Sequence, residues 1–114
     1  MMEDLLAKFL PQFLAHTRTR VATAISSTTQ RDRAGVRKTI SELHTVAGEA
    51  GLLGLTDVFP LVRDCEMKAK RLRDTGVDAD FEVLLAALHH LAQVIEGLAA
   101  APGRPHDDRP TTAR

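Results

Sequence analysis

Apolar residues recur along this chain at spacings of three and four and almost never at two. That spacing puts them on one face of an α-helix, whereas a half-buried strand would need strict alternation. Proline, glycine and short polar stretches divide the pattern into five amphipathic segments. We expect helices over about residues 2–10, 11–27, 32–53, 56–75 and 78 (or 80) to 100. The pattern therefore predicts an all-α protein.

Particular residues predict where these helices begin and end. Pro11 has no backbone N–H, so we expect it to end or bend the first helix. Asp32 and Thr56 carry side-chain oxygens that suit the N-caps of the third and fourth helices. Gly54 and Gly76 follow the last apolar positions of the same two helices, where glycine commonly ends a helix.

Four apolar faces of similar length are available to close one core. They comprise Phe13, Leu14, Val21, Ala24 and Ile25; Val36, Ile40, Leu43, Val46, Ala50 and Leu53; Val58, Leu61, Val62, Cys65, Ala69 and Leu72; and Phe81, Leu84, Leu85, Leu88, Leu91, Ile95 and Leu98. Short connections favour antiparallel neighbours. We therefore expect an up-down-up-down antiparallel four-helix bundle, with the short first segment (Leu5, Leu6, Phe9 and Leu10) as an extra N-terminal helix that caps one end.

The bundle is expected to occupy residues 1–100, followed by a polar, proline-rich, disordered tail over residues 101–114. Lysine plus arginine equal aspartate plus glutamate at 15 each, which leaves no electrostatic footprint for nucleic acid or an anionic membrane. Cys65 is the single cysteine and falls on a core face, so we expect a small buried hydrophobe and no disulfide. No metal-ligand spacing, signal peptide or membrane-length apolar run is evident. The single cysteine favours a reducing cytoplasm, and we expect a monomer.

The stretch HTVAGEAGLLG, residues 44–54, departs from an ordinary helix. Each glycine inside a helix costs roughly 1 kcal/mol relative to alanine. His44 shares a face with Ala47, Gly48 and Gly51, and we place this face beside the core and exposed to solvent. The small side chains would then let another molecule approach the imidazole. A solvated histidine and close helix packing are the ordinary alternatives, but packing alone would favour alanine at the glycine positions.

This stretch resembles the signature of histidine-containing phosphotransfer (HPt) domains, in which histidine is followed by any residue, leucine, lysine, glycine, any residue, alanine or serine, and later by an aliphatic residue and glycine. The matching positions are His44, Val46, Gly48, Ala50, Leu53 and Gly54. The number, order and lengths of the helices across residues 2–100 also resemble that family. Glu66 stands in the following helix, where the family carries an acidic residue.

The resemblance implies reversible phosphoryl transfer between an aspartyl phosphate on a receiver domain and Nε2 of His44. The partner would be the receiver domain of a response regulator or a hybrid histidine kinase. Magnesium would belong to the receiver, so this chain would need no cofactor or metal and would have no independent turnover. Glu66 is the candidate to hold Nδ1 of His44, with an exposed surface carboxylate as the alternative.

One departure from the signature concerns charge. The family's lysine, three residues after the histidine, is Ala47 here, and a cation would favour an incoming phosphoryl group. We expect Lys70 to replace it, with Lys68 or Arg37 as other candidates. The departure also keeps two alternatives open: a degenerate HPt domain that docks a receiver or kinase without transfer, and a purely structural helical module.

Overall fold

A computed structural model describes the backbone of residues 2–100 and the side chains from Leu6 onward. These residues form four α-helices and no strand: α1 Met2–Thr29, α2 Gly35–Leu52, α3 Phe59–Thr75 and α4 Asp78–Ala100. The predicted all-helical bundle of four helices is therefore confirmed. The expected tail over 101–114 lies outside the described residues.

The predicted division of the N-terminal region into two helices is wrong. Helix α1 continues through Pro11 without interruption. The local cost of proline in a helix is about 3 kcal/mol, but the apolar face keeps its helical period on both sides of it. Leu10 packs against the core just before Pro11, and Phe13 and Leu14 are buried just after it. Packing of this continuous face against the other helices offsets the proline, and no separate capping helix forms.

Two of the predicted helix starts are also displaced. Helix α2 has Ala34 as its N-cap, without a side-chain cap. Asp32 still contributes, because its Oδ1 accepts a hydrogen bond from the Gly35 N–H at 3.1 Å. Helix α3 has Val58 as its N-cap, likewise without a side-chain cap, so Thr56 does not cap it.

The predicted glycine ends of α2 and α3 are confirmed. Gly54 has φ +70° and Gly76 has φ +62°, a left-handed conformation that glycine adopts at little cost. After α2, the Leu55 N–H donates to the Ala50 carbonyl at 2.9 Å and the Gly54 N–H donates to the Gly51 carbonyl at 3.2 Å. This Schellman pattern satisfies carbonyls that the end of a helix leaves free.

Each helix packs against its neighbours in the chain, and α1 also packs against α4. Arg18 of α1 pairs with Glu96 of α4, and Arg31, just after α1, pairs with Glu82 of α4. These two pairs follow opposite orders along the chain, so α1 and α4 run in opposite directions. His44 of α2 lies against Glu66 of α3, which places α2 beside α3.

The core contains most of the predicted apolar positions. Those buried are Phe13, Leu14, Val21, Ala24, Val36, Leu43, Val46, Ala50, Val58, Val62, Cys65, Ala69, Leu72, Phe81, Leu84, Leu88, Leu91 and Ile95. Ile25, Ile40, Leu53, Leu61, Leu85 and Leu98 were expected there too but are half-buried at the edges of their faces. Burial raises the pKa of the Cys65 thiol to about 12, in keeping with the predicted small hydrophobe.

Helix α4 is long and apolar enough to cross a membrane on length and composition alone, contrary to the expectation that no segment approaches a membrane span. Its buried residues lie on one face, and they include Phe81, Leu84, Leu88 and Leu91. One helix of this kind is weak evidence for a membrane span, because core helices of globular proteins meet the same criterion of length and composition.

Candidate functional site

His44 lies in the middle of α2, on the edge that faces α3. Its side chain is 76% exposed, while its Nδ1 is 3.0 Å from Oε2 of Glu66. Because α2 and α3 pack against each other, a histidine on α2 and a glutamate on α3 meet across their interface. The ring is therefore held at one nitrogen and open to solvent over most of its surface.

Glu66 is buried, with a side chain only 3% exposed, so the alternative of an exposed surface carboxylate is wrong. Its Oε2 also lies 3.3 Å from Nζ of Lys70, one helical turn further along α3. Nε of Arg63 lies 3.7 Å from Oε1, which accepts no hydrogen bond from any residue in the described part of the chain. One buried carboxylate is thus shared among three basic side chains at the surface.

The charge of Glu66 follows from two opposing effects on its pKa. Burial is the largest effect and acts to raise this pKa, because it disfavours the carboxylate. Hydrogen bonds from His44 and Lys70, together with their charges, act in the other direction and leave the pKa of Glu66 below its ordinary value. Glu66 is therefore ionised at neutral pH.

An ionised carboxylate can only accept hydrogen bonds. The proton of a neutral His44 ring therefore lies on Nδ1, where it is donated to Glu66, and Nε2 carries the free lone pair. The arrangement selects one tautomer and one orientation of the ring. It presents a nucleophilic nitrogen on an exposed part of the molecule.

The cations considered from the sequence occupy different surroundings. Lys70 lies at the His44 site through their shared contact with Glu66. Lys68 instead pairs with Asp64 at 2.6 Å. Arg37 lines a separate cavity near the start of α2. Arg63 was missed, although its position three residues before Glu66 on one helix is a sequence signal that applies once Glu66 is known to be central.

The two glycines after His44 lie on an exposed part of α2. A Cβ added to Gly48 would meet no atom within 4 Å, so no helix packs against this position. A Cβ at Gly51 would lie 3.6 Å from the Phe59 ring, an ordinary contact distance. Packing therefore requires glycine at neither position, and the surface one turn after His44 is open.

Ala47 does not share this exposure, and its expected place outside the core is wrong. Its side chain is 3% exposed, in line with Leu43, Val46 and Ala50. These four residues at spacings of three, four and seven make a buried face wider than a single row. The small size of Ala47 is therefore explained by packing, unlike that of Gly48.

The remaining histidines of the described chain form no comparable site. His89 and His90 are exposed on α4, and His16 borders an apolar cavity with Phe9 and Phe13. No group of three histidine, cysteine, aspartate or glutamate side chains capable of holding a metal occurs within residues 6–100.

The chain matches no model of a known protein family, no curated protein and no solved structure. The candidate function therefore depends on the resemblance of residues 44–54 and on the arrangement of His44, Glu66 and Lys70.

Proposed function

We propose that this protein is a histidine phosphocarrier in a two-component phosphorelay. His44 would accept a phosphoryl group from an aspartyl phosphate on a receiver domain and return it to a receiver aspartate. The observation that carries this proposal is an exposed imidazole whose Nδ1 is held at 3.0 Å by a buried, ionised carboxylate. A histidine that is only solvated at the surface does not require a buried carboxylate to fix its ring.

In the proposed step, the lone pair on Nε2 of His44 attacks phosphorus as the bond from phosphorus to the aspartyl oxygen breaks. The bonding electrons leave with the aspartate as a carboxylate, and a phosphorus–nitrogen bond forms. The ring acquires positive charge while Nδ1 keeps its proton. Glu66, hydrogen bonded to that proton, stabilises the charge and keeps Nε2 directed at the reactant.

Positive charge near His44 would favour the phosphoryl group in transit, because phosphoryl transfer depends mainly on positioning and charge stabilisation. Lys70 is placed for this role, and Arg63 adds a second cation on the other side of Glu66. Lys70 is 46% exposed, so solvent limits its contribution to about 1 kcal/mol. In this proposal, these residues would supply the charge that Ala47 does not.

The surface at Gly48 would admit the partner. With no side chain there and no neighbouring atom within 4 Å of a would-be Cβ, another backbone can approach α2 one turn from His44. The receiver would bring the magnesium ion that its own aspartyl phosphate chemistry needs. In this proposal the present chain contributes the nucleophile, its anchor and the nearby cations.

The proposal is tested by incubating the full chain with a panel of phosphorylated receiver domains and following label transfer. We expect acid-labile, alkali-stable label on His44, which His44→Gln abolishes. His90→Gln is the matched control, because it removes another exposed helical histidine and should leave transfer unchanged. Label that persists in His44→Gln contradicts the proposal.

A second candidate function is docking of a receiver or kinase without phosphoryl transfer. It is favoured by Ala47, which is buried where the family signature has lysine. Receiver binding by the wild type, with no transfer in either direction, would support it. Because Ala47 is buried, a lysine there would disturb the core, so Arg63→Gln/Lys70→Gln tests the charge instead: slower transfer would show that these two residues supply it.

A further inference from the structure

A second basic feature lies between the start of α2, the end of α3 and the start of α4. It is a cavity of about 260 Å³. Three arginines border it, Arg33, Arg37 and Arg73, and apolar atoms of Val36, Leu72 and Phe81 form its inner wall. No carboxylate lines this cavity.

Arg33 is fixed in place by two contacts. Its Nη1 donates a hydrogen bond to the Gly76 carbonyl at 2.8 Å, and its guanidinium lies 5.4 Å from the centre of the Phe81 ring. A planar group already held by the protein loses little conformational entropy when it binds a ligand. Arg33 therefore lines the cavity in a fixed position, with N–H groups besides the one bonded to Gly76.

The other two arginines retain most of their hydrogen-bonding capacity. Arg73 pairs through Nε with the neighbouring Asp74 at 2.9 Å, which leaves its terminal nitrogens for other partners. Arg37 forms none of the ion pairs found in the described part of the chain. The nearest acidic residue in sequence to Arg33, Asp32, lines a different cavity between α1 and α2. The cavity wall thus has three cations, of which, among residues 6–100, Arg73 alone is paired with a carboxylate.

We propose that this cavity binds a small soluble phosphate compound, either inorganic phosphate or a small phosphate monoester. Arginine forks match phosphate oxygens with paired hydrogen bonds, and the apolar wall suits a small carbon group. The cavity of about 260 Å³ is many times the minimum of roughly 10–15 Å³ that a single water needs by the same measure. That is enough for a phosphate group and a few further atoms.

This site is distinct from the site at His44. Arg37 precedes His44 by seven residues of α2, or about 10 Å along the helix axis. None of the residues that line the cavity contacts Glu66. The inference therefore does not depend on phosphoryl transfer by His44.

The test uses the full chain and two probes, inorganic phosphate and phenyl phosphate, at constant ionic strength with chloride as the balancing anion. Binding is followed by calorimetry and by the NMR signals of the arginine Nε–H groups. We expect saturable binding, with the largest shifts at Arg33, Arg37 and Arg73. Phenyl phosphate should bind more tightly than inorganic phosphate because its ring can contact the apolar wall.

The variant Arg37→Gln/Arg73→Gln should weaken binding by about tenfold or more, since each hydrogen bond to a charged group contributes substantially. Both residues are exposed, so the fold should persist, and helical circular dichroism checks this. Lys38→Gln removes a neighbouring positive charge outside the cavity and should change affinity by less than about twofold. His44→Gln should bind phosphate normally, which separates this site from the proposed phosphocarrier.

Three results would overturn the proposal. One is shifts that do not saturate and spread over all exposed cations. Another is equal weakening by Lys38→Gln. A third is adsorption to phosphatidate vesicles without binding of either soluble probe, which would show a charged surface and not a cavity.

Discussion

The α2–α3 and α1–α4 interfaces use ionic contacts in opposite ways. Across α1 and α4, Arg18 and Glu96 pair at 2.7 Å with both side chains more than half exposed. Across α2 and α3, Glu66 is 3% exposed and its contacts are directed outward to His44 and Lys70. The first arrangement is common on helical surfaces, whereas the second removes a charged group from water.

Stability alone does not explain the buried carboxylate. Exposed ion pairs contribute about 0–1 kcal/mol, and a buried ion pair is often no better than apolar residues of the same volume. Leucine or methionine at position 66 would extend the apolar face of α3. What Glu66 adds is a fixed orientation and tautomer for an exposed ring, which the proposed chemistry at His44 would require.

The largest effect on the α2–α3 interface is expected for Glu66→Ala. If Glu66 positions His44, label transfer should slow by roughly 10–100-fold, by analogy with the loss of a partner that orients a metal-binding histidine. Glu66→Gln, which keeps an acceptor oxygen but not the charge, should recover part of the rate. Single-turnover transfer from a phosphorylated receiver measures both. Equal rates for wild type and Glu66→Ala would show that the anchor is dispensable.

The contribution of Glu66 at the α2–α3 interface to the free energy of unfolding should depend on pH. The pKa of Glu66 is lower in the folded protein than its ordinary value of 4.5, so the folded state binds fewer protons at this group than the unfolded chain. Its contribution to the free energy of unfolding is therefore fully present above about pH 4.5 and is lost as the pH falls through the folded pKa. Urea unfolding of wild type and Glu66→Gln between pH 7 and pH 3 should show the difference between them change over this window. A constant difference would contradict the assignment.

Smaller effects are expected from the cations around the carboxylate. Lys70→Gln should slow transfer by about threefold to tenfold, the equivalent of about 1 kcal/mol. Lys68→Gln is the matched control, since Lys68 pairs with Asp64 and contacts neither His44 nor Glu66. If the two variants slow transfer equally, general positive charge on the surface attracts the partner, and the contact of Lys70 with Glu66 has no special effect.

Much of this fold could be predicted because its signals are local. Helical periodicity appears directly in the spacing of apolar residues, and Gly54 and Gly76 end their helices through their own backbone conformations. Pro11 shows where local reasoning fails: its cost is visible in the sequence, but the packing that offsets it depends on the neighbouring helices. For the same reason the burial of Ala47 was missed, since the width of a buried face is set by its neighbours.

The candidate site shows the same division. His44 and the open position at Gly48 could be singled out from one stretch of sequence. The burial of Glu66 could not, because an acidic residue among lysines and arginines on α3 is equally typical of an exposed face. Arg63 could be identified as part of the site only once Glu66 was known to be buried beside it. Contacts within one helix are visible in a sequence, whereas contacts between helices depend on register and rotation.

The smallest expected effect belongs to the α1–α4 interface. Glu96→Gln removes the exposed pair with Arg18 and should change the free energy of unfolding by less than about 1 kcal/mol, without altering phosphoryl transfer. Urea unfolding and the transfer assay measure the two quantities. A large loss of stability would show that exposed ion pairs contribute strongly to the stability of this bundle. The contacts of Glu66 could then also be explained by stability, without a role in chemistry. A small loss combined with slow transfer in Glu66→Ala would assign stability to the apolar core and chemistry to the α2–α3 interface.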